Sequence, residues 1–296
     1  MSFYKKNRIT RRDFLKLIGK LGVGGIVASW GGLTYASQIE PAWLDVVNVP
    51  VVLHRLDNAF SGFRIVQISD IHMGGWMTQE RFAAVIDTVL EQSPDLVTIT
   101  GDFVLVRGGR DLQQDALTSL LQELTRLSAA HTTVAVMGNH DHWAGAYAVR
   151  AMLIDANIVE LPNDVFSLAH GSSKLYICGV DDIMEGHDNL EDVLEILPDD
   201  GAAILLAHEP DFADVSAATG RFDLQISGHS HGGQVVVPGI GPPITPWLAK
   251  KYPSGRYRIG SMQQYTNRGV GMSNLDIRFN CRPEVTVFTL YSEGAL

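Results

Sequence analysis

The stretch TTVAVMGNHD, from Thr132 to Asp141, contains the pattern on which the fold prediction depends. Its first half is a short run of apolar and β-branched residues, which predicts a buried strand. Its second half changes at once to Gly138, Asn139, His140 and Asp141. Polar groups that can bind a metal or move a proton therefore follow directly after the end of a strand.

Four other predicted strands end in the same way. Asp70 and His72 follow the strand 63–69, Asp102 follows 95–100, His208 follows 202–207, and His229 and His231 follow 223–227. In open α/β folds the carboxyl ends of parallel strands meet at one crevice, where binding sites form. We therefore expect five separate loops to contribute side chains to a single site.

The rest of the chain alternates between short strands and helical periods. Helices are predicted at 81–90, 112–127 and 144–156, and further strands at 174–180, 234–237, 264–268 and 285–291. This alternation predicts stacked sheets with helices outside. The β-rich second half favours two mixed sheets over one doubly wound sheet. No internal repeat divides the chain, so residues 37–296 are predicted to form one domain.

The spacing inside the clusters favours metal binding. Asp70 and His72 are two residues apart, as are His229 and His231, and in an extended chain such residues project to the same side. Neighbouring glycines free the backbone for tight turns. Mixed nitrogen and oxygen ligands suit Mn, Fe or Zn better than Mg or Ca. Each motif alone also fits an ordinary turn or surface pair, but the complete set favours a metal site.

Taken in order, the motifs resemble those of the calcineurin-like metallophosphoesterase family. The matching motifs are Asp70-x-His72, Gly101-Asp102, Gly138-Asn139-His140-Asp141, His208 and Gly228-His229-x-His231. The resemblance implies a four-layered α/β/β/α sandwich of two mixed sheets flanked by helices. It also implies a hydrolase of phosphoester or pyrophosphate bonds, in which a hydroxide shared by two divalent ions attacks phosphorus in line.

The resemblance further implies a role for each residue. Asp70, His72, Asp102 and His231 would hold one ion, and Asp102, Asn139, His208 and His229 would hold the second, with Asp102 bridging. Asn139 and His140 would contact the substrate phosphate. His140 would act as general acid or electrostatic stabiliser, and Asp141 would orient His140.

Residues 228–234, 266–271 and 278–284 resemble an exported bacterial branch of this family that is related to UDP-2,3-diacylglucosamine hydrolases. This narrower resemblance implies a lipid-linked substrate of the cell envelope. Arg268 is a candidate second anion contact, or alternatively an ion pair that holds the C-terminal strands. Two other functions stay open: a general exported phosphodiesterase or phosphatase for soluble esters, and a non-catalytic metal-binding envelope module.

Residues 1–36 differ from the rest of the chain. A basic start, an uncharged stretch at 21–35 and small residues at Thr34 and Ala36 are typical of a secretory signal. The run Thr10 to Lys16 resembles a twin-arginine signal, which implies export by the twin-arginine translocase to the periplasm or extracytoplasmic face. The alternative is an N-terminal anchor that is never cut.

The charge balance excludes one class of partner. The chain has 23 Lys and Arg against 33 Asp and Glu, and its net charge is −10. Seven of the cations lie before residue 21, so the remainder is more acidic still. An acidic surface repels phosphate backbones, and a nucleic-acid partner is not expected.

The two cysteines, Cys178 and Cys281, both lie in apolar runs. Export would permit a disulfide, but we expect buried free thiols.

Two further segments have both a functional and a structural interpretation. His142 and Trp143 would line the substrate entrance, or else pack a loop. The Pro- and Gly-rich segment 239–257 follows the last metal motif. Its Ile244, Trp247, Leu248 and Tyr252, with two lysines, suit contact with a membrane surface or an acyl chain. The alternative is an ordinary packed loop.

Overall fold

A computed structural model describes residues 30–106, 110–273 and 275–295. The twin-arginine run Thr10 to Lys16 lies outside these described residues. The strands are β1 Asp45–Val52, β2 Arg64–Ile68, β3 Leu96–Thr100, β4 Thr133–Val136, β5 Val159–Glu160, β6 Asp164–His170, β7 Ser173–Gly179, β8 Ala202–Leu206, β9 Leu224–Ser227, β10 Gly255–Ile259, β11 Met262–Thr266 and β12 Glu284–Tyr291. The α-helices are α1 Gln79–Glu91, α2 Arg110–Ala130, α3 Asn139–Asp155, α4 Leu190–Ile196 and α5 Ala213–Ala218.

The strands form two six-stranded sheets. The first has the order β1-β12-β2-β3-β4-β5, and the second has the order β10-β11-β9-β8-β7-β6. Both are mixed: β12 runs antiparallel to β2, β10 to β11 and β6 to β7, whereas the central strands of each sheet are parallel. The prediction of two mixed sheets is confirmed.

Three layers of apolar side chains hold these elements together. Val66, Val97 and other residues on one face of the first sheet pack against α1, α2 and α3. Ile65 and Ile204 belong to the layer between the two sheets. Leu205, on the outer face of the second sheet, packs towards α4 and α5. These three apolar layers separate helices, two sheets and helices, so the predicted four-layered α/β/β/α sandwich is confirmed.

The topology brings the polar clusters to one edge of the sandwich. β2, β3 and β4 are parallel neighbours in the first sheet, and β8 and β9 are parallel neighbours in the second. The two edges are tied across the layer, because Gln67 Nε2 donates to the carbonyl oxygen of Ser227 at 3.0 Å. The loops after these five strands therefore face one another.

The structure differs from the sequence-based expectations in several elements, since β1, β5, β6, β10, α4 and α5 were not predicted and two predicted elements are absent or begin elsewhere. Residues 234–237 do not form a strand, since Val235 and Val237 each make only an isolated bridge. Helix α3 begins at Asn139 rather than 144, with a non-helical break at Gly145. Strand β1 was not predicted, because Pro50 interrupts its apolar run; proline is tolerated there because β1 is an edge strand.

Cys178 and Cys281 are buried and free, as expected. Within the described residues, no helix is long and apolar enough to cross a membrane.

Candidate metal centre

The first group of ligand-type atoms comes from two loops, because Asp70 and His72 both follow β2 and His231 follows β9. Nε2 of His72 lies 2.9 Å from Nε2 of His231, and Nε2 of His231 lies 3.3 Å from Oδ1 of Asp70. All three side chains are buried. Their donor atoms lie within 4.8 Å of one another, which suits the coordination of a single cation.

The second group shares a residue with the first. Oδ2 of Asp102 lies 3.4 Å from Nε2 of His72 and 3.3 Å from Nε2 of His208. Nδ1 of His229 lies 3.2 Å from Nε2 of His208. The carboxylate of Asp102 therefore stands between the two groups, in the position of a bridging ligand.

Asn139 provides an independent test of whether this donor set fits a metal. Asn139 is buried, and its Oδ1 has no hydrogen-bond partner. A buried amide oxygen without a partner is costly, and most such atoms are satisfied in folded proteins. Its neighbour His140 donates its backbone N–H to Oδ1 of Asp102 at 2.9 Å, so Asn139 lies beside the second group. A divalent cation would satisfy this oxygen, and the residues present fit the metal.

The loops carry an unusual concentration of left-handed backbone. Asp70, His72, Asp102, His229 and His231 have φ between 48° and 65°. Each such residue costs on the order of 1 kcal/mol or more, and strained residues cluster at functional sites. The prediction that the two pairs lie on extended chain is wrong. The backbone turns through the left-handed region instead, so Asp70 and His72 meet in the first group, whereas His229 and His231 join different groups.

Two glycines of the motifs are required by close approach. A Cβ on Gly138 would lie 2.4 Å from Oδ1 of Asp102, and one on Gly228 would lie 1.9 Å from Oγ of Ser69 and 2.4 Å from Oδ2 of Asp70. Neither has a positive φ. These two positions therefore leave room for the carboxylates rather than permitting a turn.

Burial sets the protonation of the imidazoles. It lowers the pKa of His72 and of His229 to about 3, so both rings are neutral at pH 7, as metal ligands must be. Burial also raises the pKa of Asp70 to about 7, and a cation beside this carboxyl would reverse that shift. Burial opposes ionisation of Asp102, but the charges of His208 and His140 outweigh it and hold the pKa of Asp102 well below its usual value.

The carboxylate of Asp141 is hydrogen-bonded to backbone groups, and His140 Nδ1 has no partner, so the structure gives no support to the orienting role predicted for Asp141. Its Oδ2 accepts hydrogen bonds from the backbone N–H of Asp102 and of Gly138 at 2.9 and 3.0 Å. Its Oδ1 accepts from the backbone N–H of Phe103 and Val104 at 2.8 and 3.2 Å. Adjacent residues of a helix point about 100° apart, so Asp141 faces the loop of Asp102 while His140 faces the cluster.

His140 lies at the open side of the cluster. Its ring packs edge-on against His72 with centroids 4.6 Å apart, and against Trp143 at 4.8 Å. One of its ring nitrogens lies within 4.8 Å of the donor atoms of His72 and Asp102. Its Nδ1 has no hydrogen-bond partner. The half-buried imidazole can therefore reach a ligand held by the cluster.

The calcineurin-like phosphoesterase family model matches residues 63–233, more than half of the chain and the whole span of the clustered ligands. The chain belongs to the calcineurin-like phosphoesterase family. It is therefore a metallophosphoesterase, an enzyme that hydrolyses phosphoesters, and its clustered His and Asp residues indicate divalent metal ions.

Full-length relatives agree with this membership. The chain is 38% identical over 289 residues to "Uncharacterized metallophosphoesterase YkuE" of Bacillus subtilis, which covers 96% of this chain and 99% of the relative. It is 32% identical over 290 residues to "Phosphodiesterase YaeI" of Escherichia coli, which covers 95% and 99%. Among solved structures, the NAD nucleotidase NadN of Haemophilus influenzae matches 70% of this chain and 45% of its own, with 15% identity and a TM-score of 0.47.

Arg268 of this phosphoesterase is engaged in ion pairs. Its Nε lies 2.5 Å from Oε2 of Glu284, and its Nη2 lies 3.1 Å from Oδ2 of Asp45. These contacts match the structural alternative, in which the arginine holds C-terminal strands. They give no support to a substrate contact by Arg268.

Two backbone carbonyls that orient ligands were missed by the sequence analysis. Nδ1 of His208 lies 2.7 Å from the carbonyl oxygen of Thr100, and Nε2 of His229 lies 2.8 Å from that of Trp247. Such contacts fix which ring nitrogen faces the metal in metalloenzymes. Because every residue has a carbonyl group, no residue type in the sequence could have marked these two.

The residues beside the entrance form a polar network. Nε2 of His142 lies 2.8 Å from Oδ1 of Asp181, and its ring stacks on that of His187 at 4.5 Å. Trp143 Nε1 donates to Glu185 at 2.8 Å, while the Trp143 ring stays partly exposed beside His140. His142 therefore packs a loop, whereas Trp143 borders the open side of the cluster.

Proposed function

We propose that this metallophosphoesterase binds two divalent ions, which Asp102 bridges, and hydrolyses phosphodiesters. The observation that carries the proposal is the position of Oδ2 of Asp102, 3.4 Å from His72 Nε2 and 3.3 Å from His208 Nε2. Asp70, His72 and His231 would complete one site, and Asn139, His208 and His229 the other. Mixed imidazole, amide and carboxylate ligands favour Mn, Fe or Zn over Mg.

The chemistry divides between the ions and the protein. Bound ions supply Lewis acidity towards the phosphoryl oxygens and towards a nucleophilic water. Asp141 holds the loop of the shared carboxylate through three of its four backbone hydrogen bonds, those from Asp102, Phe103 and Val104. His140 lies beside the donors of both groups, where it would donate a proton to the leaving oxygen or stabilise the charge that develops there.

A metal titration tests the two-ion proposal. The purified chain would be stripped of metal, reloaded with Mn, Zn, Fe or Mg, and analysed for bound metal by mass spectrometry. We expect two ions per chain, and one after Asn139→Ala, because Asn139 belongs to the second site only. One ion in the unaltered chain would contradict the bridging role of Asp102.

The substrate proposal is a phosphodiester or pyrophosphate in the cell envelope, linked to a lipid. The resemblance of residues 266–271 and 278–284 to UDP-2,3-diacylglucosamine hydrolases supports it, and so does the name phosphodiesterase carried by the Escherichia coli relative. Hydrolysis of UDP-2,3-diacylglucosamine would be compared with that of bis-p-nitrophenyl phosphate and p-nitrophenyl phosphate. Preference for the soluble esters would favour the alternative of a general exported phosphodiesterase or phosphatase. No hydrolysis by the metal-loaded chain would favour the binding-module alternative.

Export by the twin-arginine route is proposed from the run Thr10 to Lys16. Of the two possible fates for the N-terminus, retention is favoured by the contacts of Ala36. This residue is buried, and its carbonyl oxygen accepts the backbone N–H of Arg278 at 2.8 Å, so a peptidase would have to cut inside folded chain. Cell fractionation with Arg11→Lys/Arg12→Lys tests export. The intact mass of the exported protein distinguishes retention from cleavage after Ala36.

A further inference from the structure

Six large apolar side chains are exposed on three segments of the chain. They are Trp30, Leu33, Ile240, Ile244, Trp247 and Phe279, called the apolar belt below, and their exposed fractions range from 42% for Phe279 to 80% for Ile240. Single exposed apolar residues are ordinary, but several on connected segments mark an interaction surface.

Contacts between the segments join them into one surface. The rings of Tyr35 and Phe279 pack edge-on with centroids 6.5 Å apart, and Arg278 donates its backbone N–H to Ala36. Phe279 in turn donates its N–H to the carbonyl oxygen of Gln234 at 2.9 Å and accepts the N–H of Val236 at 2.9 Å. The N-terminal helical segment 30–39, the segment around Phe279 and the loop after the metal motif are therefore continuous.

The apolar belt lies beside the metal cluster. The carbonyl oxygen of Trp247 contacts Nε2 of His229 at 2.8 Å, while the indole of Trp247 points outward and is 58% exposed. Sγ of Cys281 donates to the carbonyl oxygen of His231 at 3.2 Å. The same two segments thus contact metal ligands with their backbone or buried atoms and present apolar groups to the outside.

The sequence analysis predicted only part of this surface. Ile244 and Trp247 are exposed as expected for a contact residue. Tyr252 is not part of it, because its hydroxyl donates to Asp214 and its ring packs on Tyr257. The sequence analysis did not predict that the N-terminal helical segment 30–39 and Phe279 belong to this surface.

The charges around the apolar belt indicate what covers it. Residues 234–249 contain no charged residue, and Lys250 and Lys251 follow directly. Lys251 is paired with Asp214, whereas Lys250 is exposed. Residues 1–29, which join the belt at Trp30, contain seven Lys and Arg and one acid in a chain whose net charge is −10. Cations beside exposed Trp and Ile residues suit an anionic lipid interface, where indoles sit at the headgroup level and lysines reach the phosphates.

The apolar belt is separate from the apolar cavity of the first sheet's side. None of the six side chains lines the apolar cavity between Trp43 and Trp76, which is bounded instead by Pro41, Val85 and Val270. Trp30 and Leu33 lie on a short helical segment, and the other four side chains project from loops, a form that suits shallow insertion into a bilayer.

We propose that the apolar belt docks on an anionic lipid bilayer and thereby holds the metal cluster at the membrane surface. Docking itself does not depend on hydrolysis. The role of docking in bringing the metal cluster to a lipid-linked ester rests on the proposed function. Ile244 would enter the boundary between headgroups and acyl chains, and residues 1–29 would add electrostatic attraction through their cations.

A site-directed probe on the full-length chain tests this orientation. Cys178 and Cys281 are buried, so a cysteine introduced by Ile244→Cys can be labelled selectively with an environment-sensitive fluorophore. Ile154→Cys, at the far end of α3 from the cluster and 73% exposed, is the matched control. Both proteins would be mixed with vesicles of phosphatidylethanolamine and phosphatidylglycerol that carry bromine on their acyl chains.

We expect the fluorescence emission of the label at 244 to shift to the blue and to be quenched by the brominated acyl chains. The label at 154 should stay in water and show neither change. Residues 1–29 are present in both proteins, so they cannot cause a difference between the two labels. Equal responses at the two positions, or no vesicle binding, would overturn the proposal. Protection of position 244 by a membrane-free cell extract but not by vesicles would replace the bilayer with a protein partner and overturn it as well.

A charge-insertion pair separates docking from catalysis. Ile240→Glu/Ile244→Glu should lower vesicle affinity roughly tenfold or more, because each change removes an inserted apolar group and adds an anion. The control Ile154→Glu/Val215→Glu should leave affinity unchanged. Hydrolysis of bis-p-nitrophenyl phosphate should stay the same in both, so that a loss of docking is distinguished from a failure of the hydrolase proposal. Equal vesicle affinity of the two variants would refute the proposal that the apolar belt docks on the bilayer.

Discussion

The carboxylate of Asp141 accepts the backbone N–H of Asp102 at 2.9 Å, across 39 residues of sequence. Through this bond and those from Gly138, Phe103 and Val104, a helix terminus fixes the loop that carries the shared carboxylate. Asp141 is therefore a positioning residue, and its effect on the cluster passes through Asp102.

Asp141→Asn should destabilise the protein and weaken metal binding together. The amide offers one acceptor oxygen in place of two, so buried N–H groups are left without partners at about 1–3 kcal/mol each. Metal affinity should fall roughly 10- to 100-fold, as for other groups that orient metal ligands. Urea unfolding and metal titration measure the two effects. Asp155→Asn, exposed at the other end of α3, is the control; an unchanged metal affinity in Asp141→Asn would remove the positioning role.

His140→Ala should separate catalysis from metal binding. The half-buried ring lies beside the cluster, so its loss should reduce turnover of a diester about 10²- to 10⁴-fold, the usual contribution of a general acid. Metal content should stay at the level of the unaltered chain, which mass spectrometry of the purified variant measures. Loss of metal from this variant would instead make His140 a ligand, an arrangement that its distance from His72 and Asp102 permits.

Gly228→Ala should disrupt the cluster without changing any ligand. The added Cβ would lie 1.9 Å from Oγ of Ser69 and 2.4 Å from Oδ2 of Asp70, so the loop of Asp70 must move. We expect loss of tightly bound metal and of hydrolysis, measured by metal analysis and by turnover of bis-p-nitrophenyl phosphate. Gly32→Ala, where a Cβ meets nothing within 4 Å, should behave like the unaltered chain. Full activity of Gly228→Ala would show that the close approach is unimportant.

The pair of His142 and Asp181 should stabilise the fold at acidic to neutral pH. Burial lowers the pKa of His142, but the hydrogen bond and charge of Asp181 outweigh it, so the pKa lies above the usual 6.5. Asp182 adds to this rise, while Arg150, which also pairs with Asp181, opposes it. The stacked His187 ring is a second titratable group on this face.

A raised folded-state pKa gives stability that is complete below pH 6.5 and is lost as the pH rises through the raised value. The difference in unfolding free energy between the unaltered chain and His142→Gln should therefore shrink from pH 5.5 to pH 8.5. Urea unfolding at several pH values measures it, with His131→Gln as the control. A difference that grows with pH would have the wrong sign for this pair.

The sheets and the ligand clusters could be predicted because their signals are local. Ile204 belongs to a continuous apolar run, which is typical of a strand buried on both faces. The polar residues of the motifs begin where the predicted strands end. Because the carboxyl ends of parallel strands meet at one edge of a sheet, the sequence predicted that these residues lie together. Strand β1 escaped prediction because Pro50 and the polar Asn48 interrupt its pattern, while its pairing with β12 is made 239 residues later in the chain at Glu284.

The fine geometry of the site depends on contacts between distant segments. The left-handed backbone of Asp70 and His231 is imposed by loops that pack from both sheets, and residue type alone does not specify it. The acceptor role of Asp141 depends on where the loop of Asp102 lies. The carbonyl oxygen of Trp247 carries no sequence signal at all. Val235 and Val237 have strand-like side chains, but no neighbouring strand continues their single bridges.

The most direct test of the two-metal proposal is the hydrolysis of bis-p-nitrophenyl phosphate by the metal-stripped chain before and after Mn or Zn is restored, in parallel with Asp102→Ala. We predict no turnover without metal, turnover after either metal is added, and neither turnover nor a full metal complement in Asp102→Ala, because its carboxylate serves both groups. Turnover by the stripped chain, or undiminished turnover and metal content in Asp102→Ala, would contradict a shared-carboxylate metal centre.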